Sequence, residues 1–143
     1  GDTYDLGQSQ FTVLGPVGDY ADELNDWSVG IRLTDGNHSF VMCGDAETEA
    51  EEDMARSGLN LSADVLKSGH HGSRTSSSPE FLEAVSPSWA VISCGKGNSY
   101  GHPHEETLKK YAEHRIQVLR TDEKGTIIAS SSPEGLTWTY TKK

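Results

Sequence analysis

The segment Lys67-Ser-Gly-His-His-Gly-Ser73 places two adjacent histidines directly after a short, largely apolar run. That run, Ala63 to Leu66, has the length of a buried strand, and Gly69 and Gly72 frame the histidine pair. Glycines on both sides allow backbone dihedrals that other residues avoid, so one imidazole can be aimed at a site while the other points elsewhere. The segment therefore predicts a strand that ends in a histidine-bearing turn.

Two other apolar runs end in a similar way on either side of this segment. Ser39 to Cys43 is followed by Gly44-Asp45, and Trp89 to Ser93 leads through a polar loop to Gly101-His-Pro-His104. Helical patterns lie between the runs, which favours βαβ units and a right-handed, partly parallel sheet. In such sheets function collects at the carboxyl ends of the strands. We therefore expect the carboxylate and the two imidazole pairs at one edge of the sheet.

The remaining strands follow from alternation and turn residues. Ser28 to Leu33 alternates apolar and polar residues, and the turn Asp35-Gly-Asn37 predicts that this strand pairs antiparallel with Ser39 to Cys43. Further strands are predicted at Phe11 to Leu14, Ile116 to Arg120, Thr126 to Ala129 and Leu136 to Tyr140, with a turn at Asp122 to Gly125.

Three helices are predicted between these strands. The first covers Ala46 to Ser57 and ends at a Gly58 cap. Its apolar stripe is Ala46, Ala50 and Met54, and its water-facing acids are Glu47, Glu49, Glu51, Glu52 and Asp53. The second begins at a Ser78-Pro79 cap and buries Phe81, Leu82 and Val85. The third opens at Pro103 and directs Leu108, Tyr111 and Ala112 inward.

Bulk properties limit the function classes. A chain of 143 residues fits one domain, and its net charge of −10 argues against general nucleic-acid binding through bulk electrostatics. No apolar run approaches the roughly 20 residues that span a bilayer. The chain has neither an initiating Met nor a basic, apolar leader, so we expect a cut or processed start. Cys43 and Cys94 follow different strands and are expected to be free thiols.

Each candidate site residue also has a simpler explanation. Asp45 is either a helix cap worth about 1 kcal/mol or a metal ligand. His70 and His71 form either a polar surface turn or a metal site. In a metal site, the strand-end position favours His70 as the ligand, and His71 then supports it or donates to substrate.

The second histidine pair and the nearby cations have similar alternatives. His102 and His104 either cap a helix with exposed imidazoles or belong to a lid whose histidine meets a substrate oxygen. Lys67, Arg74 and Lys96 either favour an anionic substrate at these strand ends or reflect ordinary charge scatter.

The order of the motifs resembles one known family. The motifs are Gly44-Asp45, Leu66-Lys-Ser-Gly-His-His-Gly-Ser-Arg-Thr-Ser-Ser-Ser78, Glu80-Phe-Leu-Glu83, Val91-Ile-Ser93, Tyr100-Gly-His-Pro-His104 and Arg120-Thr-Asp122. From Leu14 to about Ala129 the chain resembles the metallo-β-lactamase-like domain of the ComEC DNA-uptake family and its free-standing, often secreted relatives. The resemblance implies an α/β fold that is the second half of an αββα metallo-β-lactamase fold, with a mixed sheet and flanking helices.

The resemblance also implies a dinuclear hydrolase site with two divalent ions, zinc or manganese, in the intact protein. It assigns Asp45 and His70 as metal ligands and places the Gly101-His-Pro-His104 loop on the substrate side. With His71 from the turn, His102 and His104 are therefore our candidate catalytic residues. Lys67, Ser73 and Asn25 become substrate-binding candidates, and Asn25 stands where many superfamily members carry another histidine ligand.

The superfamily's main ligand string, His-x-His-x-Asp-His, does not occur in this sequence. We therefore expect residues 1–143 to be a single unit, the C-terminal half of the domain, inactive alone and partnered by an N-terminal half. The intact protein is expected to hydrolyse phosphodiester bonds in DNA at the bacterial cell surface or outside the cell. An exposed half-fold face would favour a homodimer. The alternatives are a non-catalytic binding or assembly module and a hydrolase of another ester.

Overall fold

A computed structural model describes residues 1–142 and contains one large sheet and one separate hairpin. The large sheet has seven strands in the order in which they occur along the chain. They are β1 (Thr3–Leu6), β2 (Ser9–Gly15), β3 (Gly30–Asp35), β4 (His38–Met42), β5 (Val65–Lys67), β6 (Trp89–Ile92) and β7 (Gln117–Arg120). The hairpin consists of β8 (Ile127–Ser132) and β9 (Gly135–Tyr140).

The sheet is antiparallel at its beginning and parallel at its end. Strands β1 to β4 form an antiparallel meander, and β4 pairs with β5, β5 with β6 and β6 with β7 in parallel. Each parallel connection contains one helix: α1 (Thr48–Arg56), α2 (Pro79–Val85) and α3 (Glu105–Glu113). The predicted mixed α/β architecture and the predicted β3–β4 hairpin are confirmed.

The three helices pack on one face of the sheet because they share one buried cluster with it. Met54 of α1, Phe81 of α2 and Tyr111 of α3 lie in that cluster with sheet residues such as Val41 and Ile92. The predicted caps are confirmed as well. Ser78 Oγ accepts from the backbone N–H of Phe81 at 3.3 Å, and Gly58 has a left-handed backbone just beyond α1.

The β8–β9 hairpin lies against the opposite face of the sheet. Trp138 of β9 packs on Trp89 of β6, with ring centroids 5.2 Å apart. At the other end, a ring nitrogen of His38 lies 3.2 Å from the Ser132 carbonyl oxygen. A short helix, α4 (Thr121–Lys124), connects β7 to this hairpin, where the sequence predicted only a turn.

Several local predictions are wrong. Ala112 is exposed and Thr107 is buried in its place on the inner side of α3. Pro103 lies two residues before the first helical residue, Glu105, and does not open the helix. Strand β1, an exposed edge strand, was not predicted. Cys43 and Cys94 are free thiols, as expected. Within residues 1–142 the helices are all too short or too polar to span a bilayer.

Candidate functional site

The three motif-bearing strand ends meet at the carboxyl edge of the parallel strands. The histidine pair lies in a short turn, Gly69–Gly72, just after β5. The backbone N–H of His70 donates to the carbonyl of Gly44, at 3.1 Å, just after β4. The backbone N–H of His104 donates to the Gly72 carbonyl at 2.9 Å, which ties in the loop after β6. Main-chain bonds therefore hold all three segments in one arrangement.

The two histidines adopt a backbone conformation that L-residues avoid. His70 has φ 44° and ψ 44°, and His71 has φ 55° and ψ 24°. A left-handed backbone costs roughly 1–2 kcal/mol for a residue with a side chain. Strain of this kind concentrates at functional sites, where the surrounding structure maintains it. The conformation directs the two imidazoles toward different carboxylates.

His71 lies opposite Asp45. Its Nδ1 donates to the Ser93 carbonyl at 2.8 Å, which leaves Nε2 as the nitrogen without a proton in the neutral ring. Nε2 lies 3.4 Å from Asp45 Oδ1, and the two groups do not form a hydrogen bond. The side chains of His71 and Asp45 are 50% and 44% exposed. The Asp45 carboxylate and His71 Nε2 are therefore accessible from solvent to a group that binds both.

Asp45 does not cap α1. The helix begins at Thr48, and the residue at its cap position, Glu47, makes no side-chain cap bond. The backbone N–H of Glu47 instead donates to Oδ1 of the buried Asp26, at 2.7 Å. The cap interpretation of Asp45 is therefore wrong, and its carboxylate is available to the cluster.

His70 lies opposite Glu47 rather than pairing with Asp45. Its Nδ1 is 3.1 Å from Glu47 Oε1 but makes no hydrogen bond with it, and this nitrogen is buried without another partner. The amide of Asn25 donates to the same Glu47 oxygen at 3.1 Å. Asn25 thus reaches the histidine pair only through Glu47, a residue that the sequence analysis did not assign to the site.

His102 lies at the centre of the imidazole cluster. Its ring centroid is 4.8 Å from that of His104, 5.6 Å from that of His70 and 6.5 Å from that of His71. Burial lowers the pKa of His102, and the three neighbouring imidazoles lower it further. A neutral His102 is therefore favoured. It can accept or donate a hydrogen bond without adding positive charge to the cluster.

His104 is oriented by the loop that follows the histidine turn. Its Nδ1 accepts from the backbone N–H of Arg74 at 3.0 Å, and the Arg74 guanidinium lies 3.5 Å from its Nε2. It occupies the cap position of α3 but makes no side-chain cap bond. Its imidazole therefore contacts Arg74 and the imidazole cluster, and it does not cap the helix.

Lys67 and Ser73, two of the predicted substrate-binding residues, differ in what their side chains contact. Lys67 Nζ donates to the Ser68 carbonyl at 2.8 Å, and burial lowers the pKa of Lys67 while Asp45 opposes that effect. Its ammonium is therefore held by the main chain of the histidine segment. Ser73 is buried, and its hydroxyl lies 3.0 Å from the Thr75 hydroxyl within the same loop. The Ser73 hydroxyl is thus engaged by Thr75 within the protein.

A buried carboxylate supports this site from behind. Glu51 of α1 is 1% exposed, although the sequence pattern predicted that it faces water; that prediction is wrong. Its two oxygens accept from the backbone N–H groups of Ser77 and Ser78, at 2.8 and 2.7 Å. Burial raises the pKa of Glu51 to about 7. The sequence signal was its position directly after Ala50 and three residues before Met54, on the inner side of α1.

A buried hydroxyl chain lies beside Glu51. The Tyr111 hydroxyl donates to Ser68 Oγ at 2.7 Å and lies 2.7 Å from Ser77 Oγ. Burial raises the pKa of Tyr111 to about 12, so this hydroxyl keeps its proton. Glu51 and Tyr111 together hold both ends of the segment that carries His70 and His71.

The donor set within residues 1–142 fits part of a metal site. No three His, Cys, Asp or Glu side chains in this range are arranged to hold an ion. Asp45 Oδ1 and His71 Nε2 are nevertheless 3.4 Å apart. Two donors bound at about 2.0–2.1 Å with tetrahedral geometry are separated by about 3.3 Å. These two residues therefore fit two positions of a zinc-type site, and further donors would have to complete it.

Comparison with known proteins finds several bacterial relatives, one of them named a competence protein, and no family model matches the chain. It is 41% identical over 127 residues to ComE operon protein 3 of Bacillus subtilis, which covers 89% of this chain and 16% of that protein. It is 43% identical over 104 residues to competence protein ComA of Neisseria gonorrhoeae, covering 72% and 15%. It is 34% identical over 117 residues to recombination protein 2 of Haemophilus influenzae, covering 82% and 15%. The chain thus spans about one sixth of the length of these relatives.

Proposed function

Because this chain is homologous to one segment of bacterial proteins that include a competence protein, we propose that it supplies half of a metal-dependent hydrolase site that cuts phosphodiester bonds in DNA. The observation that carries the proposal is the pair formed by Asp45 Oδ1 and His71 Nε2. These atoms lie 3.4 Å apart without a hydrogen bond, at the carboxyl edge of a parallel sheet. Two donors that face each other in this way are suited to a shared cation.

Asp45 and His71 would hold the metal ion, zinc or manganese, in this proposal. An ion held by these two residues would supply Lewis-acid chemistry, namely activation of a water nucleophile and polarisation of the scissile bond. The Ser93 carbonyl fixes the tautomer of His71 through Nδ1, which is the usual role of a group behind a ligating histidine. The resemblance assigns the ligand role to His70 instead. His70 has its Nδ1 against Glu47 and can ligate only through its other nitrogen.

The other imidazoles belong to the substrate side of the proposed site. His102, kept neutral by burial and by its neighbours, would exchange a proton with a substrate oxygen. Arg74, next to His104, and Lys67 would attract a phosphate group despite the net negative charge of the chain. Asn25 would act through Glu47 on His70.

The remaining metal ligands would come from another segment of a longer protein. The two donors fall short of the three protein ligands of typical catalytic zinc sites. We propose that residues 1–142 are the second half of an αββα metallo-β-lactamase fold and that a first half, or a second copy of the chain, covers the open side. In this setting the protein works in DNA uptake at the bacterial cell surface.

Metal binding by the chain itself tests the first part of the proposal. Isothermal titration with Zn²⁺ is expected to show weak 1:1 binding that is lost in both Asp45→Asn and His71→Gln. The matched control is His38→Gln, because His38 Nδ1 lies 3.8 Å from Asp64 Oδ2 and forms the other His–Asp pair of similar spacing. Equal Zn²⁺ affinity in all four proteins would contradict the assignment of Asp45 and His71.

Hydrolysis tests the second part. We expect no cleavage of single-stranded DNA by the chain alone, and metal-dependent cleavage by the longer protein that contains it. The change Asp45→Asn in the longer protein should remove that cleavage. Cleavage that survives Asp45→Asn would overturn the proposed role.

A non-catalytic binding or assembly module is the second candidate function. The incomplete donor set within residues 1–142 favours it, as do the exposed apolar side chains of Val17, Leu24, Trp27 and Val29, which could dock on another protein surface. A longer protein that associates normally through this segment but cleaves no DNA with any divalent metal would support the module.

A further inference from the structure

We propose that Tyr100 is a stacking platform for a nucleobase, placed at the mouth of the histidine cluster. The inference rests on the proposed function, because it names the part of the substrate that this face of the site would contact. It adds a residue that the metal chemistry does not use. The argument comes from the exposure of Tyr100, the rigidity of its loop and the orientation of its ring.

Tyr100 is exposed in a loop that is closed rather than loose. Its side chain is 78% exposed. The loop is held by Asn98, whose side-chain nitrogen donates to the His102 carbonyl at 2.6 Å and whose oxygen accepts from the His102 backbone N–H at 3.0 Å. Gly97 and Gly101 supply the left-handed turns that let the loop close. An exposed aromatic side chain on a closed loop loses little conformational entropy on binding.

The Tyr100 ring contacts one imidazole and is otherwise largely exposed. The ring stacks on His102, with centroids 5.7 Å apart and an interplanar angle of 23°. His102 is in turn nearly parallel to His71, at 6.5 Å and 16°. His102 therefore sets the plane of Tyr100 relative to the histidine that faces Asp45. A planar ring that stacks on Tyr100 would be aligned with the same series of rings.

The surroundings of Tyr100 favour a nucleotide over an apolar protein partner. Its sequence neighbours Asn98, Ser99 and Gly101 are polar or lack a side chain, so the loop itself adds no apolar side chain to the ring. A cationic group borders the same cluster, since the Arg74 guanidinium lies 3.5 Å from His104 Nε2 and also 3.5 Å from Glu106 Oε1 at an exposed position. A ligand that combines a planar ring with an adjacent phosphate matches this combination. Stacking of bases on aromatic side chains is also sequence-tolerant, which suits a substrate of any sequence.

A pair of small probes tests the proposal on the chain as it is. Deoxyadenosine monophosphate and 2-deoxyribose 5-phosphate carry the same phosphate and differ in the base. In NMR titrations the nucleotide should bind about 5- to 150-fold more tightly, the range that stacking on one ring supplies. The largest shifts should occur at Tyr100 and His102. Tyr100→Leu should remove the preference for the nucleotide, and Tyr100→Phe should retain it.

Tyr4→Leu is the matched control. Tyr4 is also an exposed tyrosine stacked on a ring, that of Phe11 at 5.3 Å, but it lies on β1, three strands away from β4 in the sheet. The nucleotide preference should persist in Tyr4→Leu. Equal affinity of the two probes for the unchanged chain, or a preference that survives Tyr100→Leu, would overturn the platform. These outcomes are separate from the DNA-cleavage assay, whose failure would overturn the proposed hydrolase but not a measured base preference.

Discussion

The segment Ser68 to Ser78 has a rear side and a front side that differ in almost every physical respect. The rear side is formed by Ser68, Ser76, Ser77 and Ser78, which are at most 2% exposed and hydrogen-bonded to Glu51, Tyr111 and the Ala46 carbonyl. The front side is formed by His70 and His71, which have left-handed backbones and ring nitrogens that face carboxylates without hydrogen bonds. The difference indicates that the rear side supplies the stability that holds a strained front side in place.

The largest expected effect is at the rear side. Glu51→Ala removes the acceptors of two buried backbone N–H groups and leaves a cavity, so we expect the free energy of unfolding to fall by about 4 kcal/mol. Urea denaturation measures it. Glu52→Ala is the control, since Glu52 makes only a surface ion pair with Arg56, and the expected loss there is about 0.5 kcal/mol. Similar losses for both variants would contradict the special role of the rear side.

The rear side should also make stability depend on pH in a defined direction. Burial raises the pKa of Glu51 from 4.5 to about 7, so between these values the unfolded chain loses the proton while the folded chain keeps it. The contribution is therefore complete below pH 4.5 and is lost as the pH rises through about 7, a decrease of about 3 kcal/mol. Lys110, a cation near Glu51, opposes this shift.

Glu51→Gln isolates that effect because glutamine does not titrate. We expect the stability advantage of the unchanged chain over Glu51→Gln to shrink by about 3 kcal/mol between about pH 4 and about pH 8. Urea denaturation at a series of pH values provides the measurement. A constant difference across the series would show that Glu51 has the same pKa in the folded and the unfolded chain.

The front side was largely predictable from sequence, whereas the rear side was not. Apolar runs followed by Asp45, His70 and His102 identify strand ends, and parallel strands bring their carboxyl ends to one edge. Which histidine faces which carboxylate was not predictable. The left-handed turn decides which imidazole faces Asp45, and its positive φ values fall on His70 and His71 themselves rather than on Gly69, which the flanking glycines did not predict.

Glu51 was missed because sequence periodicity treats an acidic run as a solvated face. The residues Glu47 to Asp53 read as the polar side of α1, yet α1 buries Ala50, Glu51 and Met54 together. The burial of Glu51 depends on two backbone donors that arrive from residues 77 and 78. Such a donor pair is a property of tertiary structure. The position of Glu51 beside Ala50 and before Met54 indicates the inner side of α1, but it does not indicate the donors that Glu51 meets there. The burial of Ser76 to Ser78 was not predictable either, because a run of serines is typical of an exposed loop.

A smaller loss of stability is expected where Gly72, next to the front side, contacts the loop after β6. Gly72 has φ +83°, and a Cβ there would lie 2.7 Å from Pro103 Cβ. Gly72→Ala should therefore lower the free energy of unfolding by about 2 kcal/mol and shift the NMR signals of His102 and His104. Gly36→Ala is the matched control, because Gly36 has φ +55° with open space around it, and about 1 kcal/mol is expected. If Gly36→Ala were as costly, backbone strain alone would explain the loss.

The smallest effect on stability is expected at the front side itself. His71→Asn deletes one hydrogen bond, to the Ser93 carbonyl, at a half-exposed position. It also places a residue that tolerates left-handed dihedrals at φ 55°, so relief of strain offsets the lost bond. The free energy of unfolding should change by less than about 0.5 kcal/mol in urea denaturation, while Zn²⁺ binding is lost. A loss above about 1 kcal/mol would mean that the histidine turn stabilises the fold, because one neutral hydrogen bond contributes about that much. The division between a stabilising rear side and a strained front side would then not hold.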